Sequence, residues 1–165
     1  GADLKSNRKE DLSDLYQYCY GVASIVGIVC LNFFGDNSSN ALKYAEHLGY
    51  ALQITNIMRD VKVDMERNYI YIPTELFDKH GYSELDLINN IYNEAFIKIM
   101  KELATEAEKS YATANSYLNK CENKKLFRSS QMMKEVYHSI FQNDEKIRLT
   151  KSEKIKAIYR AFRLT

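Results

Sequence analysis

LGYALQITNIMRDVKVD, running from Leu48 to Asp64, has no proline, and Leu48, Leu52, Ile57, Val61 and Val63 are spaced for packing while charges interleave between them. That pattern predicts an amphipathic helix, extended by its flanks to about Ala41–Glu66. At about 100° per residue, Gln53, Asn56, Asp60 and Asp64 fall on one side of the cylinder, and Lys62 points roughly opposite. Leu52 and Val63 border this polar stripe on one side, Ile57 and Val61 on the other, so the stripe is expected to face inward. Two carboxylates one turn apart among apolar neighbours repel unless a cation lies between them. Hard oxygen ligands of this kind suit Mg2+, which binds through a few carboxylates together with phosphate oxygens of a substrate. Taken alone, a DxxxD spacing is more often that of a solvated acidic face balanced by Arg59 and Lys62, so the weight falls on the residues around it.

The rest of the chain reads as helix as well. Pro73 is the single proline, and only six glycines interrupt the 165 residues. A first helix is expected from about Ser13 or Asp14, either of which could cap it, through the apolar run Gly21–Phe34, with GDNSSN, Gly35–Asn40, closing it as a loop. YIYIPTEL forms a connector in which Thr74 caps a short helix that Gly81 ends. Ile88, Ile91, Ala95, Ile99, Leu103, Ala107, Tyr111, Ala114 and Leu118 make one apolar stripe, predicting a long helix over Ile88–Asn119. Met132, Val136, Ile140 and Phe141 mark another, and Thr150 with Glu153 sets a capping box before Ile155, Ile158 and Phe162. The expectation is one all-α domain spanning residues 1–165.

Lys plus Arg number 23 and Asp plus Glu 22, a net charge of +1, so no global field favours nucleic acid. Any anion must be met by a local site. Cys19, Cys30 and Cys121 follow no metal-ligand or CxxC spacing, and the polar first ten residues have no apolar core, which together fit a reducing, cytoplasmic setting. The run Gly21–Phe34 is short for a bilayer crossing and is expected to be a buried helix, with peripheral membrane contact left open. His47, His80 and His138 lie far apart and read as surface or packing residues. No glycine-rich phosphate loop, Ser/His/Asp set or nucleic-acid signature is present.

The segment LGYALQITNIMRDVKVDMERNYIYIP, Leu48–Pro73, resembles the second aspartate-rich signature of the squalene/phytoene synthases, and YCYGVASIVG, Tyr18–Gly27, is similar to that family's tyrosine block. The two blocks stand in the family's order. YHSIFQNDEKIRLTKSEKIKAIYRAF, Tyr137–Phe162, resembles the family's end. The resemblance implies a helical bundle of the isoprenoid synthase type, here without its N-terminal helices, and the Mg2+-dependent head-to-head joining of two farnesyl or geranylgeranyl diphosphates through a cyclopropylcarbinyl diphosphate. It implies that Asp60 and Asp64 bind Mg2+ bridging to the diphosphate and that Gln53 and Asn56 orient metal, water or diphosphate. Arg59 would bring positive charge to the leaving group, with Arg67 near the substrate, and Tyr18 would act close to the carbocation and proton-transfer steps. NADPH use stays open, since squalene formation needs reduction and phytoene formation does not.

Such chemistry needs the leaving anion stabilised and water kept from the cation by apolar walls. Val22, Val26 and Val29 offer a wall, whereas the small Gly21, Ala23, Ser24 and Gly27 serve equally for close helix packing. Ser24 stands where the family has glycine, and Tyr69 where it has arginine, removing a diphosphate contact. The family's first aspartate-rich motif is expected upstream of the tyrosine block and is absent here, so the 165 residues alone are expected to be inactive, completed by a further N-terminal segment or a second chain. The alternative is a non-catalytic relative that uses its helical body as an interaction or assembly factor.

Overall fold

A computed structural model describes residues 8–34, 36, 38–128 and 130–132, all the elements of which are helical. The expected helix at Val136–Phe141, the Thr150–Glu153 box, the Tyr137–Phe162 resemblance and His138 lie outside the described residues. Helix α1, Leu12–Cys19, runs through a π-helical turn, Tyr20–Ser24, directly into α2, Ile25–Phe34. Its cap is Asp11, two or three residues ahead of the expected Ser13 or Asp14: the Asp11 carboxylate accepts from the Asp14 N–H at 2.9 Å.

Helix α3, Ser39–Glu66, starts where the Ser38 hydroxyl accepts from the Ala41 N–H. It ends at a reversal where Asn68 takes a left-handed conformation, φ 65°, and the N–H groups of Arg67 and Tyr69 both donate to the Asp64 carbonyl at 2.9 Å. Helix α4, Thr74–His80, closes at left-handed Gly81 as expected, but Pro73 holds the cap position. Thr74 instead accepts no capping role: its hydroxyl and N–H both donate to the Lys9 carbonyl, tying residues 9–10 to the start of α4.

The expected helix from Ile88 divides in two. Helix α5, Glu84–Ile88, carries a reciprocal Ser83–Asp86 capping box, and helix α6, Glu94–Leu118, begins at the Asn93 cap. Asn90 between them is left-handed, φ 55°, so Ile88 and Ile91 leave the stripe and stand exposed. From Ile99 onward the stripe is as read, with Ile99, Leu103, Ala107, Tyr111, Ala114 and Leu118 buried.

Helices α3 and α6 lie antiparallel: the Tyr44 ring meets Phe127 beyond the end of α6, His47 stacks on Tyr117, and the Thr55 hydroxyl lies 3.4 Å from the Tyr111 hydroxyl. Ile54, Ile99 and Leu103 are fully buried between them, each worth about 1.5–3 kcal/mol of transfer free energy. The α1–α2 helix packs along the next face of α3, where Ser24 is fully buried and its hydroxyl donates to the Glu46 carbonyl at 2.8 Å. Over residues 21–31 the apolar run is therefore buried on one face only. Leu12–Leu31 is long and apolar enough to cross a membrane by length and composition, yet Leu15, Cys19, Ser24 and Leu31 are buried and its other face is open.

Candidate functional site

The polar stripe lies along the C-terminal half of α3. Gln53, Asn56, Arg59, Asp60 and Asp64 are all half-buried, with Ile57 and Val61 buried on one flank. The other flank departs from expectation: Val63 is 45% exposed, so the stripe borders a groove instead of facing the core. Arg59 folds back on its neighbour, its Nε donating to Asp60 Oδ1 at 2.9 Å and its Nη2 to Oδ2 at 2.7 Å, a two-point fork that neutralises that carboxylate. Burial pushes the Asp64 carboxyl above the usual carboxylate range, the Asp60 charge adds to the rise, and Arg67 and Arg59 oppose it. Among the described residues no hydrogen-bond donor reaches the buried Asn56 Oδ1, a costly state for an amide oxygen.

Tyr18 reaches this groove from α1. Its ring stacks on Tyr71 at 4.8 Å between centroids, and Tyr71 stacks in turn on Tyr69 at 5.8 Å with the planes 2° apart. Lys9 Nζ stands 4.8 Å from the centre of the Tyr18 ring, a cation–π contact at the far end of the stack. The reversal at Asn68 makes this arrangement, because it folds residues 69–72 back beside Asp64, and Asp64, Tyr69 and Tyr71 line one small cavity with Ile57 and Val61. Burial raises the Tyr18 phenol above its ordinary value, reinforced by Tyr71 and, weakly, by Asp64, so the hydroxyl stays protonated at neutral pH. Arg67 is exposed at the end of α3. The structure thus gathers Gln53, Asn56, Arg59, Asp60 and Asp64 on one face, joins Tyr18 to Asp64 through Tyr71, and leaves Arg67 at the rim.

Two participants were not singled out from the sequence. Tyr71 carried a signal as the aromatic two residues before Pro73. Lys9 carried none, since its place depends on the Thr74 N–H bonding to its carbonyl across 65 residues.

The small residues of the tyrosine block divide by face. A Cβ on Gly49 would come within 2.6–2.7 Å of Ser24 atoms, and one on Gly27 would meet the Ala45 Cβ at 3.3 Å, so Ser24 and Gly27 serve close packing against α3. Val22, Ile25, Val26 and Val29 are between 44% and 59% exposed. Ile25, Val26 and Val29 share one face of α2, and Val22 precedes them in the π-helical turn that follows Tyr18 by two residues. An apolar strip therefore leads away from the Tyr18 end of the groove.

Among the described residues no three His, Cys, Asp or Glu side chains converge as a metal centre. The donors on offer are Asp60 and Asp64, one turn apart, with the Asn56 amide one turn before Asp60, hard oxygen groups of the kind that fit Mg2+ completing its shell with water and phosphate oxygens.

The squalene/phytoene synthase family model matches residues 2–146. Presqualene diphosphate synthase of Sinorhizobium fredii is 33% identical over 137 residues, 83% of this chain and 49% of that protein. The 15-cis-phytoene synthase of Synechococcus elongatus is 37% identical over 111 residues, 60% of this chain and 36% of that one. Among solved structures, squalene synthase HpnC from Alicyclobacillus acidocaldarius superposes with a TM-score of 0.74 at 17% identity, covering 86% of this chain and 54% of that one. A dehydrosqualene synthase solved with a ligand gives 0.73 at 21% identity, over 93% and 57%. These two show the fold, that of the isoprenoid synthases. The chain spans between 36% and 57% of the length of these four proteins.

Proposed function

Because the chain belongs to the squalene/phytoene synthase family, whose members are head-to-head prenyl transferases, we propose that the α3 stripe is one half of a Mg2+-dependent diphosphate-binding centre. The observation that carries this reading is the combination of a buried Asn56 Oδ1 that no donor among the described residues reaches with a desolvated Asp64 one turn away from Asp60. Both cost stability and gain nothing from packing, which gives an interaction scaffold no reason to keep them.

Asp60 and Asp64 would hold Mg2+, with Asn56 one turn earlier orienting its water or the diphosphate, and Mg2+ would supply Lewis-acid neutralisation of the departing diphosphate. Arg59, within reach of Asp60, and Arg67, at the rim beside Asp64, would add guanidinium donors to the same anion. When the allylic C–O bond breaks, its electron pair leaves with the diphosphate and a prenyl cation remains. The ring faces of Tyr18 are taken by Tyr71 and by the Lys9 ammonium, so Tyr18 would act through its hydroxyl. The protonated Tyr18 hydroxyl is a hydrogen-bond donor and holds no negative charge to trap that cation. The strip from Val22 to Val29 is the surface along which a prenyl tail would lie, shielded from water once covered. The NADPH requirement and the prenyl length, fifteen or twenty carbons, depend on parts of the pocket beyond this stripe.

Calorimetric titration with farnesyl thiodiphosphate, which resists ionisation, tests the reading. Binding that requires Mg2+ and vanishes in a folded Asp60→Asn/Asp64→Asn variant supports it. Equal binding by both proteins, or by the wild type without Mg2+, sinks it.

A further inference from the structure

The geometry points to Arg59 as an internal stand-in for the metal: its guanidinium holds Asp60 in the absence of Mg2+ and passes to the diphosphate when metal and diphosphate arrive together. This rests on the diphosphate-centre reading above. The fork occupies both Asp60 oxygens, at 2.9 and 2.7 Å, and these are the oxygens a cation would need. Asp64, one turn on, has no such fork; Arg67 and Arg59 act on it only through space. The two carboxylates of the stripe are therefore unequal before any ligand binds. Among the described residues Asp64 carries no guanidinium fork, whereas Asp60 is closed by a residue of the same helix.

A free Mg2+ ion must displace a two-point charge-assisted hydrogen bond to reach Asp60, and the displaced guanidinium then has a new cation as its neighbour. A diphosphate alone must draw Arg59 off Asp60 and leave two carboxylates facing an anion. Together the costs cancel, because the metal takes the carboxylates and the diphosphate takes the guanidinium. Binding of the two is then coupled, and linkage requires the coupling to be the same in either order. The substrate accordingly enters as its metal complex. Arg59 is here a positioning residue for Asp60 before it is a ligand of the leaving group.

The test is a thermodynamic cycle on the 165-residue chain with MgCl2 alone, inorganic pyrophosphate alone, and each in the presence of the other, by calorimetry, with Mn2+ paramagnetic resonance as a second measure of free metal. Wild type is expected to bind each alone weakly and to show coupling of about ten-fold, within the usual span of about 5–150-fold. Arg59→Gln, confirmed as folded by its helical circular dichroism, is expected to bind Mg2+ alone about five-fold more tightly and pyrophosphate alone more weakly, with coupling falling towards one. Arg59→Lys keeps the charge without the fork and is expected to bind Mg2+ as tightly as Arg59→Gln while retaining part of the pyrophosphate affinity. If folded Arg59→Gln binds Mg2+ no more tightly than wild type, the stand-in role is overturned while the metal site survives. If Asp60→Asn/Asp64→Asn binds Mg2+ as wild type does, the diphosphate-centre reading and this inference fall together.

Discussion

At the scale of single residues the site is defined by what it leaves unsatisfied. Asp64 is held above the usual carboxylate range mainly by burial and next by Asp60. A carboxyl whose pKa is raised by folding favours the fold while protonated, and that contribution is lost as pH rises through its folded pKa. Asp64→Asn, neutral at every pH, should therefore raise the melting temperature by about 1–2 °C at pH 7 without Mg2+, and the gain should shrink by about pH 4, the ordinary carboxylate range in which the unfolded chain also takes up the proton. Thermal unfolding followed by circular dichroism at the two pH values checks this; a variant less stable than wild type at pH 7 contradicts it. The stripe itself could be read from the 3.6-residue period, because each member's direction is fixed by the helix backbone. The Arg59–Asp60 fork could not, since adjacent helix positions do not face each other and only the length of the arginine side chain lets it turn back. The Tyr69–Tyr71–Tyr18–Lys9 stack was hidden for a related reason: it joins three segments distant in sequence.

Among the elements, the crossing of the α1–α2 helix over α3 is set at one point of near-contact between backbones. Ser24, where the family has glycine, is accommodated because Gly49 faces it, and its hydroxyl is satisfied by the Glu46 carbonyl. Replacing a mid-helix glycine by alanine ordinarily gains about 0.5–1 kcal/mol of helix propensity. Here the new methyl would stand 2.7 Å from the Ser24 backbone nitrogen and Cα, which cannot rotate away, so the helices must separate. Gly49→Ala is expected to destabilise by about 3 kcal/mol, the overpacking term exceeding the propensity gain, as read by urea denaturation; unchanged or increased stability would refute it. Gly27→Ala, with 3.3 Å to a side-chain methyl, should cost much less. The π-helical turn at Tyr20–Ser24 sits at this crossing, and π turns inside α-helices occur disproportionately at functional sites. Apolar periodicity predicted the helices but not that turn, nor the break at Asn89–Asn90. A single extra residue per turn barely alters an apolar pattern, and the left-handed Asn90 is available to asparagine at low cost without any change in composition.

On the scale of the molecule, the core between α3 and α6 is closed, whereas the face of the α1–α2 helix beyond Tyr18 is open. The expectation of a buried helix over Gly21–Phe34 failed because an apolar run reports only that a surface avoids water, and cannot tell a protein core from a wall kept for a lipid-like ligand. If Val22, Ile25, Val26 and Val29 only filled the core, a charge among them would unfold the chain. Val26 is 59% exposed, so Val26→Asp should change folding stability by no more than about 0.5 kcal/mol. The proposed tail surface gives this variant a second, separable effect. Inorganic pyrophosphate with Mg2+ touches only the stripe and should bind Val26→Asp as it binds wild type, while the farnesyl thiodiphosphate complex should lose about ten-fold in affinity, an estimate of one apolar contact replaced by a charge that must keep its water. Paired calorimetric titrations separate the outcomes. A loss for both ligands would mean that the substitution had disturbed α3. No loss for either would mean that the prenyl chain leaves the groove by another route, and that the exposed valines answer to a surface other than the substrate's.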